Sequence, residues 1–226
     1  MCQNMINKFK YGDLNYHIDN ENSYKEFKDS DEAKEWGMKH YKEWALSYKS
    51  IMGFADKFVA DGAFVQPIEQ YCGYTYRYIN EYLRNKKDNE NNRYREMADI
   101  LSMVISSSPR IPINLILYRM VSDEFINCLI KKNKATYPIP IREEGFLSTS
   151  LLKGIANINE PYANHNNIIK MYVESGTAGI YVNSVTKRSE QEMLLCPGRY
   201  LGLVKYPYQD AEINKIVYEC KLINMN

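Results

Sequence analysis

The stretch PRIPINLILYRMV, residues 109–121, divides the chain into two parts of different character. Before it, residues 29–108 carry apolar side chains at helical spacing. After it, short β-branched and aromatic runs alternate with Gly, Asn and Pro, which is typical of strands and turns. The change predicts an α+β fold, in which N-terminal helices pack on a β-rich core over residues 109–226. We expect a single domain over residues 1–226, with residues 1–28 as a polar arm of little regular structure.

Three helices are predicted in the first half, at residues 29–52, 68–85 and 97–108. Ser30 or Asp31 is expected to cap the first helix, because both residue types accept hydrogen bonds from free backbone N–H groups. Gly73 is expected to interrupt the second helix. Residues 86–96, KKDNENNRYRE, predict a charged loop. Strands are expected at INLILYRMV, FLSTS, IIKMYVE, GIYVN, EMLL, RYLGLV and KIVYECKL.

The composition argues against several classes of protein. Lys and Arg number 29 against 28 Asp and Glu, so bulk charge does not favour nucleic-acid binding. The five cysteines and three histidines lack the spacing of a metal site, so no metal is expected. No apolar run approaches the length of a membrane span, and residues 1–20 lack a signal-peptide pattern. We therefore expect no membrane partner and no metal.

Polar groups interrupt two of the predicted strands. Arg119 ends an apolar run, where a guanidinium requires an anionic partner such as phosphate or carboxylate. Ser148, Thr149 and Ser150 follow Phe146 and Leu147, and their hydroxyls can orient a carboxylate or bind a ribose. Each feature alone has a structural explanation, and the order of the features is more specific than any one of them.

Two acids precede the apolar run in SEQEMLL, residues 189–195. If this segment is a strand, Glu190 and Glu192 project from the same face, about 6–7 Å apart at a rise of about 3.3 Å per residue. A solvated strand end is the simple structural explanation. The alternative is that both acids are used on something between them.

The ordered set of strand arginine, Ser-Thr-Ser and Glu-x-Glu resembles the mono-ADP-ribosyltransferase toxins of the Arg–Ser–Glu class. It is most similar to the C3-like enzymes and to the enzymatic parts of actin-modifying binary toxins. DEAKEWG and YCGYTYRYINEYLR resemble helices of the same group, so the likeness covers roughly residues 29–222. The resemblance implies a fold of helices on two roughly perpendicular β-sheets, and NAD as co-substrate.

The resemblance also implies roles for individual residues. Arg119 corresponds to the arginine that grips the NAD phosphates, and Ser148 to the serine that holds the catalytic glutamate. Thr149 and Ser150 support that strand. The remaining positions implied to contact NAD or the substrate are Tyr71, Tyr76, Asn80 and Arg84, with Tyr162 as a candidate for stacking on nicotinamide.

Glu192 corresponds to the invariant glutamate beside the nicotinamide ribose, and Glu190 to the upstream acid that faces the protein substrate. Loss of nicotinamide leaves positive charge on the ribose, as in glycoside cleavage, and a carboxylate stabilises that charge. An arginine acceptor is normally protonated, so a second carboxylate is needed to orient it and accept a proton. In the family, Glu at the first position accompanies arginine targets, which predicts an arginine acceptor here.

Two departures leave the target open. Met120 stands where binary-toxin members often have a second arginine, and VNSVTKRS between Tyr181 and Glu190 lacks the aromatic residue that many members have there. Actin is therefore one possible target among host proteins. The function expected is that of a bacterial toxin or effector, secreted or injected and acting as a monomer in the host cytosol. The alternatives are an NAD glycohydrolase and a catalytically silent binding module of the same fold.

Overall fold

The computed structural model describes residues 2–58, 64–85, 92–158, 164–188 and 190–224. The α-helices are α1 (Cys2–Tyr11), α2 (Ser30–Ala55), α3 (Pro67–Gln70), α4 (Tyr76–Asn85), α5 (Arg93–Ser107) and α6 (Asp123–Asn133). The strands are β1 (Leu115–Val121), β2 (Ile141–Glu143), β3 (Leu147–Ser150), β4 (Asn167–Val173), β5 (Gly179–Tyr181), β6 (Glu192–Leu195), β7 (Arg199–Leu203), β8 (Tyr208–Asp210) and β9 (Lys215–Ile223). The α+β prediction is confirmed.

The nine strands are joined in one hydrogen-bonded sheet of order β2-β7-β9-β4-β1-β3-β6-β5, with β8 paired to β9. β4 and β9 run parallel, and the other pairs are antiparallel. The two sheets expected from the resemblance are therefore connected. The connection is narrow, because β1 and β3 share a single registered pair, Tyr118 with Ser150.

Two apolar clusters fix the helices on this sheet. Helices α2, α4 and α5 pack against β5 and β6 through residues that include Tyr48, Ile79, Leu101, Ile180 and Leu194. The larger cluster combines α1, the start of α2 and α6 with β1, β4, β7 and β9. At the crossing of α2 and β5 there is no room for a side chain at Gly37, because a Cβ there would lie 2.4 Å from the Tyr181 ring. This close approach brings the start of α2 near the strands that carry the candidate site.

The N-terminal segment is more ordered than predicted. Instead of an irregular arm, residues 1–28 include α1 and a β-bridge from Lys25 to Leu115. Tyr11 and Phe27 are buried in the larger apolar cluster. The composition of the segment is polar, but burial of these two aromatic side chains removes apolar surface from water and so favours an ordered segment. The prediction of little regular structure is therefore wrong.

The helices differ from the predictions at the starts of α2 and α5 and by one additional helix, α6. The N-cap of α2 is Asp29, whose side chain accepts from the N–H groups of Asp31 and Glu32 at 3.0 and 2.9 Å. The third helix begins at Arg93, inside the predicted charged loop. Helix α6 was not predicted, although its cap Ser122 and its terminal charges are typical helix signals.

The interruption near Gly73 is confirmed. The backbone of Tyr71–Thr75 forms one turn of π-helix between α3 and α4. Such turns are rare and occur frequently at functional sites. None of the helices in the described part of the chain is both long and apolar enough to cross a membrane.

Candidate active site

Ser148 and Glu192 meet through the pairing of β3 with β6. Ser150 is registered with Glu192, so Ser148 is the diagonal neighbour of Glu192 on the same face of the ladder. The Ser148 hydroxyl donates a hydrogen bond to Oε1 of Glu192. The Thr149 hydroxyl donates to the Met193 carbonyl at 2.7 Å. The serine thus holds the glutamate side chain, and the threonine reinforces the strand beneath it.

Arg119 lies on the next strand, β1, and joins the same group. Its Nη1 donates to the backbone carbonyl of Ser148 at 3.0 Å. Burial lowers its pKa, and the nearby carboxylates of Glu143 and Glu192 act in the opposite direction. The arginine, the serine and the glutamate, which are far apart in the sequence, therefore share one site.

Glu190 and Glu192 converge in a different way from that predicted. Strand β6 begins at Glu192, and Gln191 before it has a left-handed backbone with φ of 48°. The alternation of strand faces therefore does not extend to Glu190. The hydroxyl of Ser150 instead fixes the Glu190 backbone, donating to its carbonyl at 2.5 Å.

The guanidinium of Arg188 brings the two acids together. Its Nη2 lies 3.3 Å from Oε2 of Glu190, and its Nε lies 3.3 Å from Oε2 of Glu192. Its Nη1 donates to the carbonyl of Cys72, in the π-turn, at 3.2 Å. Arg188 was not among the predicted site residues. The signal that could have found it is its place in the sequence, two positions before Glu190 and four before Glu192.

Gln191 anchors this segment to α2. Its Nε2 donates to the Ser30 hydroxyl at 2.8 Å, and its Oε1 accepts from the Tyr181 hydroxyl. The backbone N–H of Glu192 donates to the Asn183 side chain at 2.9 Å. We call Arg188, Glu190, Gln191 and Glu192 the acidic loop.

Glu192 is buried yet incompletely bonded. Burial raises its pKa above the usual 4.5, Glu190 adds to the rise, and the Ser148 hydrogen bond and the charge of Arg188 oppose it. Its Oε2 atom is buried without a hydrogen-bond partner, and so is Nε of Arg188. The charge of Arg188, whose Nε is 3.3 Å away, compensates this oxygen but leaves its capacity to accept a hydrogen bond unused. Oε2 is therefore suited to accept a hydrogen bond from a bound hydroxyl.

A second part of the site is built from α4 and the segment before β3. Asn80 donates to the Tyr71 hydroxyl at 2.9 Å and accepts from the backbone N–H of Phe146 at 2.8 Å. The Tyr71 and Phe146 rings are in edge contact with centroids 5.4 Å apart. Tyr71 is buried, which raises the pKa of its hydroxyl. The charge of Arg119 lowers that pKa, and the charge of Glu192 raises it.

An ion pair extends this second part of the site. Nε of Arg84 lies 2.9 Å from Oε1 of Glu143, which also accepts from the Gly145 N–H at 2.9 Å. Although burial opposes ionisation, the charges of Arg119 and Arg84 keep the pKa of Glu143 below its usual value. A Cβ at Gly145 would lie 2.9 Å from Oδ1 of Asn80. We call Tyr71, Asn80, Arg84, Glu143, Gly145 and Phe146 the helix wall.

Glu143 is a second residue that the sequence analysis missed, because an acid in a three-residue strand has no distinctive pattern. Tyr76 lies at the rim, with its ring 6.3 Å from that of Tyr71. Tyr162 lies outside the described residues. Within the described residues, no group of three or more His, Cys, Asp or Glu side chains could hold a metal ion.

The fold is that of bacterial ADP-ribosylating toxins. BECa, the ADP-ribosylating toxin of a C. perfringens binary enterotoxin solved with NADH, has a TM-score of 0.67 and 19% identity. That match covers 88% of this chain and 50% of BECa. C3stau2 from S. aureus, solved with NAD, has a TM-score of 0.63 and 21% identity, and the match covers 90% of this chain and 100% of C3stau2.

A family model described as ADP-ribosyltransferase exoenzyme matches residues 33–203, and the chain therefore belongs to that family. The resemblance drawn from the sequence is confirmed at this level, and with it the class of transferase. The enzymatic component C2-I of the C. botulinum C2 toxin is also similar, with a TM-score of 0.54 and 20% identity over 82% of this chain and 48% of C2-I. The chain thus spans about half the length of BECa and of C2-I. A search of the curated proteins finds no match.

Proposed function

We propose that this protein transfers ADP-ribose from NAD to an arginine side chain of a host protein and releases nicotinamide. The observation that carries the proposal is the guanidinium of Arg188 between Glu190 and Glu192, 3.3 Å from each carboxylate. An acceptor arginine has the same chemical group. The acid pair is therefore able to hold a guanidinium group.

The chain offers groups suited to the phosphates and to the nicotinamide ribose of NAD, which would supply the ADP-ribose group. Arg119 and Arg84 would bind the phosphates, because a guanidinium fork matches phosphate oxygens. Oε2 of Glu192, buried without a hydrogen-bond partner, would accept a hydrogen bond from the nicotinamide ribose. Ser148 holds the other oxygen of that carboxylate, so the side chain cannot rotate away.

The two acids would then have separate roles. Glu192 stabilises the positive charge that develops on the ribose as the bond to nicotinamide breaks. Glu190 orients the acceptor guanidinium and takes up its proton as the new bond forms. Glu at position 190, rather than Gln, supports an arginine acceptor. Actin is one candidate protein, on the resemblance to the actin-modifying toxins.

The biological setting follows from the family. We propose a bacterial toxin or effector that reaches the cytosol of a host cell and acts there as a monomer.

The test is incubation of host-cell lysate with the protein and NAD, followed by mass spectrometry of ADP-ribosylated peptides. We expect adducts on arginine side chains of host proteins and release of nicotinamide. Free ADP-ribose without any protein adduct would contradict the proposal and indicate an NAD glycohydrolase. No NAD cleavage, with no heat of NAD binding in calorimetry, would indicate a silent binding module.

A further inference from the structure

We infer that Arg188 is a self-modification site: with NAD bound and no substrate arginine present, the enzyme transfers ADP-ribose to its own Arg188. This inference rests on the proposed function and names a second acceptor for the same site. It is carried by the position of Arg188, by its loose bonding and by the chemistry of the acids around it.

The position of Arg188 is that of an acceptor. Its terminal Nη2 lies 3.3 Å from Glu190, the acid proposed to orient the acceptor and take its proton. Its Nε lies 3.3 Å from Oε2 of Glu192, the atom proposed to bind the ribose. A nitrogen must come within about 3–3.5 Å of the reacting carbon to attack it. Arg188 already contacts the carboxylate that would bind the ribose hydroxyl next to that carbon.

The contact of Arg188 with Glu192 can be exchanged when the ribose arrives. Its Nε and Oε2 of Glu192 are in ionic contact but make no hydrogen bond with each other. A ribose hydroxyl can therefore replace Arg188 at Oε2 without breaking a hydrogen bond. The contacts of Nη2 with Glu190 and of Nη1 with the Cys72 carbonyl at 3.2 Å would keep the side chain in the site. About a third of the side chain, 34%, is exposed, so the product has a path to solvent.

The reaction breaks one bond to the ribose and forms another. The bond from the ribose C1′ to the nicotinamide nitrogen breaks, and its electron pair stays on that nitrogen, which loses its positive charge. A new bond forms between C1′ and a terminal nitrogen of Arg188. The proton lost from that nitrogen passes to Glu190 and then to water. Because the acceptor belongs to the same chain, the reaction needs no second protein molecule.

The experiment uses the full chain with NAD and no other protein. We expect mass spectrometry to find one ADP-ribose on the peptide that contains Arg188, with an initial rate per enzyme molecule independent of enzyme concentration. In the Glu190→Gln protein the adduct should form about 10²-fold more slowly, because the proton acceptor is lost. The Arg188→Lys protein keeps the charge but lacks the guanidinium, and should carry no adduct at position 188. Arg95→Lys, an exposed arginine on α5, is the matched control and should leave the adduct at Arg188 unchanged.

Several results would overturn the inference. Adducts on host arginines in lysate, together with an unmodified Arg188 in the chain incubated with NAD alone, would overturn self-modification and leave the proposed function intact. A rate per molecule that rises with enzyme concentration would show transfer between molecules, which also overturns it. Intact NAD in every sample would overturn both proposals. Thermal unfolding of the Arg188→Lys protein, compared with the unsubstituted chain, checks that loss of the adduct does not reflect loss of the fold.

Discussion

The helix wall and the acidic loop both contribute residues to the candidate site, and they are bonded differently. In the helix wall, Asn80 makes hydrogen bonds of 2.9 and 2.8 Å to Tyr71 and Phe146. In the acidic loop, Arg188 lies 3.3 Å from each of two carboxylates, and one buried oxygen of Glu192 has no hydrogen-bond partner. Asn80 is therefore engaged on both sides within the protein, whereas the acidic loop still has bonding capacity.

The difference indicates which contacts stabilise the fold and which are available for the reaction. Groups that are fully hydrogen bonded resist rearrangement, since each broken bond leaves a buried polar atom unpaired. Loosely paired charges can exchange partners at lower cost. Changes in the acidic loop are therefore expected to reduce reaction rates, and loss of Asn80 from the helix wall is expected to reduce stability.

The largest effect is expected for Glu192→Gln, which keeps the shape of the side chain and removes its charge. NAD cleavage and transfer should both fall about 10³-fold, because the charge that stabilises the developing ribose cation is lost. Release of nicotinamide measures this. Glu96→Gln, an exposed acid on α5, serves as the control. Cleavage within a few-fold of the unsubstituted protein would contradict the role given to Glu192.

A smaller and more selective effect is expected for Glu190→Gln. Transfer to arginine should fall about 10²-fold while NAD cleavage to free ADP-ribose continues, because only the acceptor loses its base. Labelled NAD followed in both products separates the two rates. Equal losses of cleavage and transfer would show that the two acids do not have separate roles.

The helix wall is tested by Asn80→Ala. This change leaves the buried N–H of Phe146 and the Tyr71 hydroxyl without their partner, and should lower the free energy of unfolding by about 1–3 kcal/mol. Urea denaturation measures the loss. Asn85→Ala, at the exposed end of the same helix, is the control. If Glu190→Gln costs as much stability as Asn80→Ala, the contrast between the two regions is wrong.

The smallest effect is a shift in the pH dependence of NAD cleavage. Glu192 must be ionised to act and its pKa is raised by burial, so activity should rise with pH through a midpoint above 4.5. The charge of Arg188 lowers that pKa and the charge of Glu190 raises it. Arg188→Gln should therefore move the midpoint to higher pH, and Glu190→Gln to lower pH. Shifts in the same direction for both variants would contradict this electrostatic picture.

The sequence predicts those parts of the fold that depend on local pattern. The change of character at Pro109 marks the passage from helices to strands, and β-branched runs mark the longer strands. The three-residue strands β2 and β8 were missed, since a segment so short has no measurable alternation. Helix α6 was missed although its signals are present, because only Ser122 separates it from the apolar strand β1 and no Gly or Pro marks the boundary.

The candidate site was predictable only in part, for a related reason. Arg119, Ser148 and Glu192 are recognisable because polar groups are unusual in apolar strands. Arg188 lies in a loop and Glu143 ends a three-residue strand, so neither has such a background, and their importance comes from contacts that only the folded chain makes. The left-handed backbone at Gln191 is one example, since it turns Glu190 towards Arg188 and no alternation rule describes it.

The position of β9 has a practical consequence for anyone shortening this chain. A fragment cut to the family boundaries, residues 33–203, would lose β9, which lies in the middle of the sheet between β7 and β4. Both neighbours would then present bare edges, which invite aggregation. The same trimming at the other end would delete Ser30, to which Gln191 is tethered at 2.8 Å. A fragment intended for enzymology should therefore extend beyond the matched region in both directions.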